Sequence, residues 1–420
     1  MKRLALVGVV LMAATGVVVE SQVRQVRPQL LGVPTADAFF DDTVLHEIRL
    51  TISERDWQSL RDHYLEDTYY PSDFKWRDRI VRNIGIRSRG TGSRSGIKPG
   101  LRVTFDRYVG GQRFLDLKTF ILRNQTQDAS NLHERLTMLL FRRLGLLAER
   151  EAHTKLFVNE RYAGLYTIVE AVDEAFLKRN VGEDDGYLYK YNYPADAQPY
   201  FFEDRGSSPA TYVPQPFQPY THESDPRPEF IVDLVKTINL TSSAAFPTVM
   251  ADYFDLRKFL RHVAVEQFVA ELDGFLSDYG GMNNYFIYRF NGKKLFTFIA
   301  WDKSEAFKGG PFRSIFHNIT GVPENRKNRL LERTLLYRDL YDAYLDAILD
   351  CVRSAYEVQP DGRGWLEREI EHEYSQIRDA ALSDPEKPFS NADFESRVDD
   401  LRAFARQRGD LVTREVNASR

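Results

Sequence analysis

From residue 41 onward, VLHEIRLTI alternates apolar and polar positions as a strand with one solvated face does, and SERDWQSLRDHYL follows with helical spacing behind the N-cap candidate Ser53. A strand then a helix opens an α+β fold. IVRNIGIRSRG alternates again, runs into the glycine-rich stretch Gly90 to Gly100, and leads to the strand-like LRVTFDRY. Asp128 to Asn131 supply caps for a helix through HERLTMLLFRRLGL that ends near Gly145. HTKLFVNERYAGLYTIVEAV predicts two strands around Asn159-Glu160-Arg161, DEAFLKRN a short helix, and DDGYLYKY a further strand. Over residues 191–228, prolines and aromatics break every period, which predicts a long loop or lid between two halves. Helical spacing then dominates, from PEFIVDLVKTIN through the tail.

One stretch interrupts those helices. NYFIYRF, Asn291-Gly292 and KKLFTFIAW together predict a β-hairpin with a two-residue turn. Pairing Phe290 with Lys293 sets Asn283 opposite Ala300 and Gly281 opposite Asp302. In that register Asn283 and Asp302 share a face, and Asn284 joins them only if a bulge intervenes. Asp278, five residues before Asn283, lies in the loop beside them.

The pattern divides the chain into an export segment at 1–22, a leader at 23–40, a β-rich half at 41–190, the insertion at 191–228 and a mostly helical half at 229–420. Its 420 residues and formal net charge of -4 suit a soluble globular protein with two lobes and exclude a global attraction to nucleic acid. Met1-Lys2-Arg3 before the apolar run Leu4 to Val19 predicts export to a secreted, periplasmic or envelope location. No clean A-x-A site follows, so a cleaved signal peptide and an uncleaved membrane anchor both stay open. The single Cys351 falls in a helical segment and is expected to be a small buried hydrophobe.

Candidate chemistry narrows by elimination. G-x-S-x-G is absent from the sequence, and His133, His153 and His262 are isolated and lack zinc spacing. Asp278 and Asp302 could serve a glycosidase, which has no use for a basic glycine-rich loop. That loop carries Arg87, Arg89, Arg94 and Lys98, suited to phosphate oxygens, though it is neither a Walker A nor a kinase glycine loop. A solvated basic turn is its plainer reading. Glu134 could pair with a loop cation, and Glu170 and Lys190, at the ends of apolar strands, either reach solvent or line a cleft. Phosphoryl transfer uses these parts together: Asp302 and Asn283 for Mg²⁺, Asp278 for an acceptor hydroxyl, and the loop cations for nucleotide phosphates.

The stretches IGIRSRGTGSRSGIKPGLRVTF, RNQTQDASNLHERL, LFVNERYAGLYTIVEAVDEAFLKRNVGEDDGYLYKY, DYGGMNNYFIYRF and FTFIAWDKSEAF occur in an order that resembles the spore coat protein H (CotH) family. The resemblance covers roughly residues 42 to 310. It implies a two-lobed atypical protein-kinase-like fold and ATP- and Mg²⁺-dependent phosphorylation of Ser or Thr on an exported or surface protein. It further implies Asp278 as the catalytic-loop aspartate and Asp302 as the metal-binding aspartate, with Arg89 and Lys98 on phosphates and Glu170 and Lys190 in the cleft. The family pattern favours Asn284 over Asn283 as metal ligand and leaves Asp273 a rival to Asp278. A non-catalytic envelope or coat scaffold with the same fold is the alternative.

Overall fold

The alternating segments of the first half close on themselves. In the computed structural model, which describes residues 35–192 and 199–420, seven strands form a barrel in the order β1-β2-β3-β4-β5-β7-β6. They are β1 (His46–Thr51), β2 (Tyr70–Trp76), β3 (Arg79–Ser88), β4 (Leu101–Thr104), β5 (Thr119–Arg123), β6 (Glu151–Val158) and β7 (Arg161–Glu170). The pairs are antiparallel except at the seam, where β1 runs parallel to β6. Closure removes the sheet edges and gives the inward-facing apolar residues one shared core.

Aromatic side chains fill that core. Phe39, from the short helix α1 (Ala36–Phe39), sits edge-on to Phe120 at 5.0 Å and to Phe114 at 5.2 Å. The fold therefore begins before Asp41: Phe39 and Phe40, expected in the leader, are buried. The expected export segment and most of the expected leader fall on residues 1–34, outside the described residues. Helix α2 (Glu54–Asp62) follows β1 with Ser53 as its cap, and Ser53 Oγ accepts from Asp56 N at 3.1 Å. Helix α3 (His133–Arg143) is capped from further upstream than its nearest polar neighbour, since Asp128 Oδ2 accepts from His133 N at 2.9 Å.

After helix α4 (Glu174–Val181), four strands make a second sheet in the order β11-β10-β8-β9. These are β8 (Tyr187–Tyr191), β9 (Phe217–Pro219), β10 (Tyr285–Arg289) and β11 (Phe296–Ala300). Strand β9 lies within the stretch expected to lack regular structure, and it pairs Tyr191 with Phe217. Phe202, Tyr212 and Phe217 from the same stretch are buried, so most of the described insertion is anchored by its aromatics; residues 193–198 lie outside the description.

The hairpin register is offset by two residues from the expected one. Tyr285 faces Ala300 and Arg289 faces Phe296, and Phe290 N donates to Leu295 O at 3.0 Å. The connection is therefore four residues, Asn291 to Lys294, closed by Lys293 N on Phe290 O at 3.2 Å. A tertiary contact accounts for the longer loop: Glu183 Oε1 accepts from Asn291 N at 2.8 Å and from the Tyr288 hydroxyl at 3.0 Å.

Ile121 and Val169 of the barrel pack with Phe286, Ile299 and Trp301 of the second sheet and with Phe176 and Leu177 of α4. On the sheet's other side, α3 joins α5 (Glu229–Leu240), α6 (Phe246–Met250), α7 (Leu256–Phe268), α8 (Arg329–Leu335), α9 (Arg338–Ala355), α10 (Trp365–Leu382) and α11 (Asn391–Ser419) around a large apolar core. Cys351 is fully buried there, as expected. The architecture is mixed α+β, with a barrel and a helical body on either side of the second sheet. Among the described residues, no helix is long and apolar enough to cross a membrane.

Candidate active site

Both ends of the hairpin leave the ladder through left-handed residues, Asn284 at φ 55° and Asp302 at φ 50°. Asn and Asp tolerate that conformation best among residues with a side chain, and here it breaks the alternation of faces. Asn283 and Asn284 consequently reach the same group. Asn283 Nδ2 donates to Asp273 Oδ2 at 3.0 Å, and Asn284 Nδ2 donates to the same oxygen at 3.1 Å. Ser277 Oγ donates to Asp273 Oδ1 at 2.9 Å.

The loop that carries Asp273 is fixed from below. Glu266 of α7 accepts from Phe275 N at 2.7 Å and ion-pairs with Lys303 at 2.7 Å, and Lys303 donates to the Asn284 carbonyl at 2.9 Å. The α7 side of this network thus holds both the Asp273 loop and the start of β10. A side chain at Gly274 could not fit, because its Cβ would come within 2.4 Å of Glu266 Oε2.

Two aspartates are pushed in opposite directions. Burial raises the Asp273 pKa above the ordinary value, with the charge of Asp302 adding to it against the hydrogen bonds that lower it. Asp302 is lowered despite its burial, because Arg123, Arg89 and Lys190 surround it. Its Oδ1 lies 2.6 Å from Arg123 and accepts from Ser304 Oγ at 3.2 Å. Asp278 is held elsewhere. Its carboxylate takes both guanidinium nitrogens of Arg313 at 2.8 Å, with His317 at 2.9 Å and Asn318 at 2.7 Å, and these partners hold its pKa low despite partial burial.

Three cations gather round the Trp301 ring, with Arg123 at 5.6 Å, Lys190 at 5.8 Å and Arg89 at 5.9 Å from its centroid. They arrive from three different strands. Arg123 ends β5, Lys190 is in β8, and Arg89 follows β3. Burial and mutual repulsion bring the Lys190 pKa down to about 8 and that of Arg89 to about 10. Arg123 is instead raised despite its burial, by Asp302 and Glu134 beside it, so Lys190 and Arg89 are the cations short of negative charge, and an anion would relieve them.

On the far side of Arg123 lies an acidic group, Glu134 at the start of α3 with Glu149 and Glu151 leading into β6. Arg123 Nε is 2.6 Å from Glu134 Oε2, though off the line of a good hydrogen bond. All three glutamates are buried, and their pKa values are raised chiefly by that burial, for Glu151 to about 8.

The basic loop behaves differently. Arg87 and Arg94 both bind Asp67, at 2.6 Å and 2.5 Å, and Lys98 is sealed against Asp384 at 2.6 Å. Of its four cations, Arg89 is the one drawn to Trp301. Glu170 closes β7 in contact with Arg150, at 2.7 Å, and with Arg179, away from the aspartates.

The structure thus gathers Arg89, Lys190 and Asp302 beside Trp301 and Asn283 and Asn284 on Asp273, and it ties Arg87, Arg94, Lys98, Glu170 and Asp278 to other partners. Sequence reasoning missed Arg123, Glu149, Glu151 and Trp301 as a set. One signal was available: Glu149-Arg150-Glu151 alternates at a strand start, which puts the two glutamates on one face. Arg123 offered none, since its partners are distant in sequence.

The family model described as CotH kinase protein matches residues 86–412, from β3 into α11. Inner spore coat protein H of Bacillus subtilis (strain 168) is 22% identical over 368 residues, which cover 87% of this chain and 95% of that protein. Among solved structures, the Helicobacter pylori proinflammatory kinase CtkA is 12% identical with a TM-score of 0.31, covering 74% of this chain and 94% of its own. With the site and most of the fold inside the matched span, the chain belongs to the CotH kinase protein family.

Proposed function

We propose that this chain is a protein-kinase-like phosphotransferase of two lobes, which uses ATP and Mg²⁺ to phosphorylate Ser or Thr hydroxyls of an exported or surface protein. The observation that carries the proposal is the cluster of Arg89, Arg123 and Lys190 around Trp301, next to Asp302 and in the field of Asp273. Phosphoryl transfer asks of a protein mainly positioning and charge, and these residues supply both.

Each residue then has a role. Lys190 and Arg89 hold the phosphates, and Trp301 keeps their charges close together in a partly dry site. Asp302, with the amide oxygens of Asn283 and Asn284, would hold Mg²⁺, since the donor set is all oxygen and Asp302 stays ionised. ATP and Mg²⁺ supply the transferable phosphoryl group and neutralise its charge. Asp273, rather than Asp278, orients the acceptor hydroxyl and takes its proton. Two neighbouring carboxylates whose environments push their pKa values apart suit one metal ligand and one base. Asp278, gripped by Arg313, is a poor proton acceptor.

Family membership and the name of the curated relative support a coat or envelope setting, which agrees with the export segment expected at residues 1–22. A second reading, a non-catalytic scaffold, is favoured by one contact: Arg123 already gives Asp302 a cationic partner at 2.6 Å. Purified protein incubated with labelled ATP and Mg²⁺ separates the two. The enzyme reading expects nucleotide binding and label transfer that Asp302→Asn and Asp273→Asn abolish and Asp278→Asn retains. No nucleotide binding, or wild-type transfer by Asp302→Asn, would sink it and leave the scaffold.

A further inference from the structure

Glu134, Glu149 and Glu151 pose a problem that the nucleotide reading does not solve. One carboxylate oxygen from each lies within 4.8 Å of those from the other two. The residues are 1%, 0% and 1% exposed. Neither oxygen of Glu151 has a hydrogen-bond partner among the described residues, the Glu149 carboxylate meets only its own backbone N–H, and of the three Arg123 ion-pairs with Glu134 alone. The guanidinium of Arg142 adds charge nearby but makes no hydrogen bond to these carboxylates and donates instead to the Glu149 backbone carbonyl.

Three buried carboxylates so close together must either take up protons or share a cation. Protonated carboxyls would use their protons, in short O–H···O contacts with one another or with a nearby carbonyl. No donor of the protein meets Glu151, and only its own backbone N–H meets Glu149. Their spacing fits the other solution. Oxygens bonded to one hard cation at roughly 2.0–2.6 Å can stand up to roughly 4–5 Å apart. The oxygens also come from two elements, with Glu134 on α3 and Glu149 and Glu151 flanking the start of β6.

We infer that Glu134, Glu149 and Glu151 form a site for a hard divalent cation of the Mg²⁺, Mn²⁺ or Ca²⁺ class, separate from any metal held by Asp302 and independent of nucleotide. The bound cation pins the first turn of α3 to the barrel. It also neutralises the acidic side of Arg123 and frees that guanidinium to act on Asp302 and on bound anions. The inference stands whether or not the chain transfers phosphate, because the site needs no nucleotide.

Mn²⁺ is the probe. Chelator-treated full-length protein without nucleotide is titrated with Mn²⁺ and followed by electron paramagnetic resonance, and its melting temperature is recorded with and without the ion. Wild type is expected to hold one Mn²⁺ and to melt higher with it. Glu149→Gln keeps the shape of the side chain but removes a ligand charge, and should weaken binding by at least about tenfold. Asp302→Asn should bind Mn²⁺ as wild type does. The inference is overturned if nucleotide-free wild type binds no Mn²⁺, if Glu149→Gln binds it unchanged, or if Asp302→Asn loses it. Should Glu149→Gln fail to fold by circular dichroism, Glu151→Gln takes its place. If neither variant folds, the Mn²⁺-dependent melting of wild type and Asp302→Asn decides: equal shifts support the site, and no shift in either overturns it.

Discussion

The glycine-rich loop and the pocket around Trp301 both hold basic residues, yet their charges are used in opposite ways. In the loop, cations close together in sequence are neutralised by local or buried acids, Arg87 and Arg94 by Asp67 and Lys98 by Asp384. At Trp301, cations from three separate strands meet with little more than Asp302 and Glu134 to balance them. A run of basic residues therefore says little about where positive charge is available. Availability depends on which cations lack acidic partners in the fold, and those are the ones able to hold a ligand.

The widest break between the two regions is expected from the aspartates beside the pocket. Asp273→Asn should lower phosphoryl transfer by roughly 10²–10⁴, the range for a positioned general base, with little change in ATP affinity. Asp278→Asn should keep transfer within about twofold of wild type, since its carboxylate is taken up by Arg313, His317 and Asn318 and is not free to act as a base. Initial-rate kinetics on the two variants checks the assignment, and the reverse order would return the base role to Asp278.

The next largest effect concerns stability and falls on the loop. Lys98 and Asp384 are each 2% exposed, and Asp384 also accepts from Leu165 N at 2.9 Å. Removing one member of such a pair leaves the other buried and uncompensated, so Asp384→Ala should cost about 3–5 kcal/mol in urea unfolding. A Lys98→Met, Asp384→Leu double variant should recover most of that loss. If the double variant is no better than the single one, the pair has some role besides its own compensation.

A pH titration gives a smaller effect and returns to the pocket. Phosphate binding needs the charged ammonium of Lys190, whose pKa is lowered from 10.5 to about 8 by burial and by Arg89. ATP affinity should hold below that pH and fall as the pH rises through about 8, and Lys190→Gln should bind more weakly with a flatter profile. Stability moves the other way. A depressed lysine pKa disfavours folding while the group is charged, so its penalty is present below about 8 and eases as the pH climbs towards 10.5. Isothermal titration across pH checks the first part. The smallest effect is expected at Arg94: Arg94→Gln should change ATP affinity by less than about twofold, given its engagement with Asp67 and with three backbone carbonyls.

Local pattern made most of the elements legible. Period-2 alternation marked the barrel strands and helical spacing marked the long helices, because each burial face is set by a residue's near neighbours. Turn length was less legible. Asn291-Gly292 favours a two-residue turn, but Glu183, more than a hundred residues away, captures Asn291 and lengthens it. Of the candidate site, the hairpin that carries Asn283, Asn284 and Asp302 was legible from local pattern, and the side chains that meet across elements were not.

What the sequence by itself determined is the α+β succession, the family and the short list of oxygen and nitrogen groups able to handle phosphate and metal, all of which follow from residue type and local period. What only the tertiary structure decided is which of them are spent on one another. Asp278 is occupied by Arg313, Lys98 by Asp384 and Arg94 by Asp67, while Lys190 meets Arg89 and Asp302 beside Trp301 and Glu134 meets Glu149 and Glu151, across elements apart in the chain. The physical reason is that charge compensation acts over a few ångströms of space, and sequence spacing does not encode that distance once the chain has closed into a barrel.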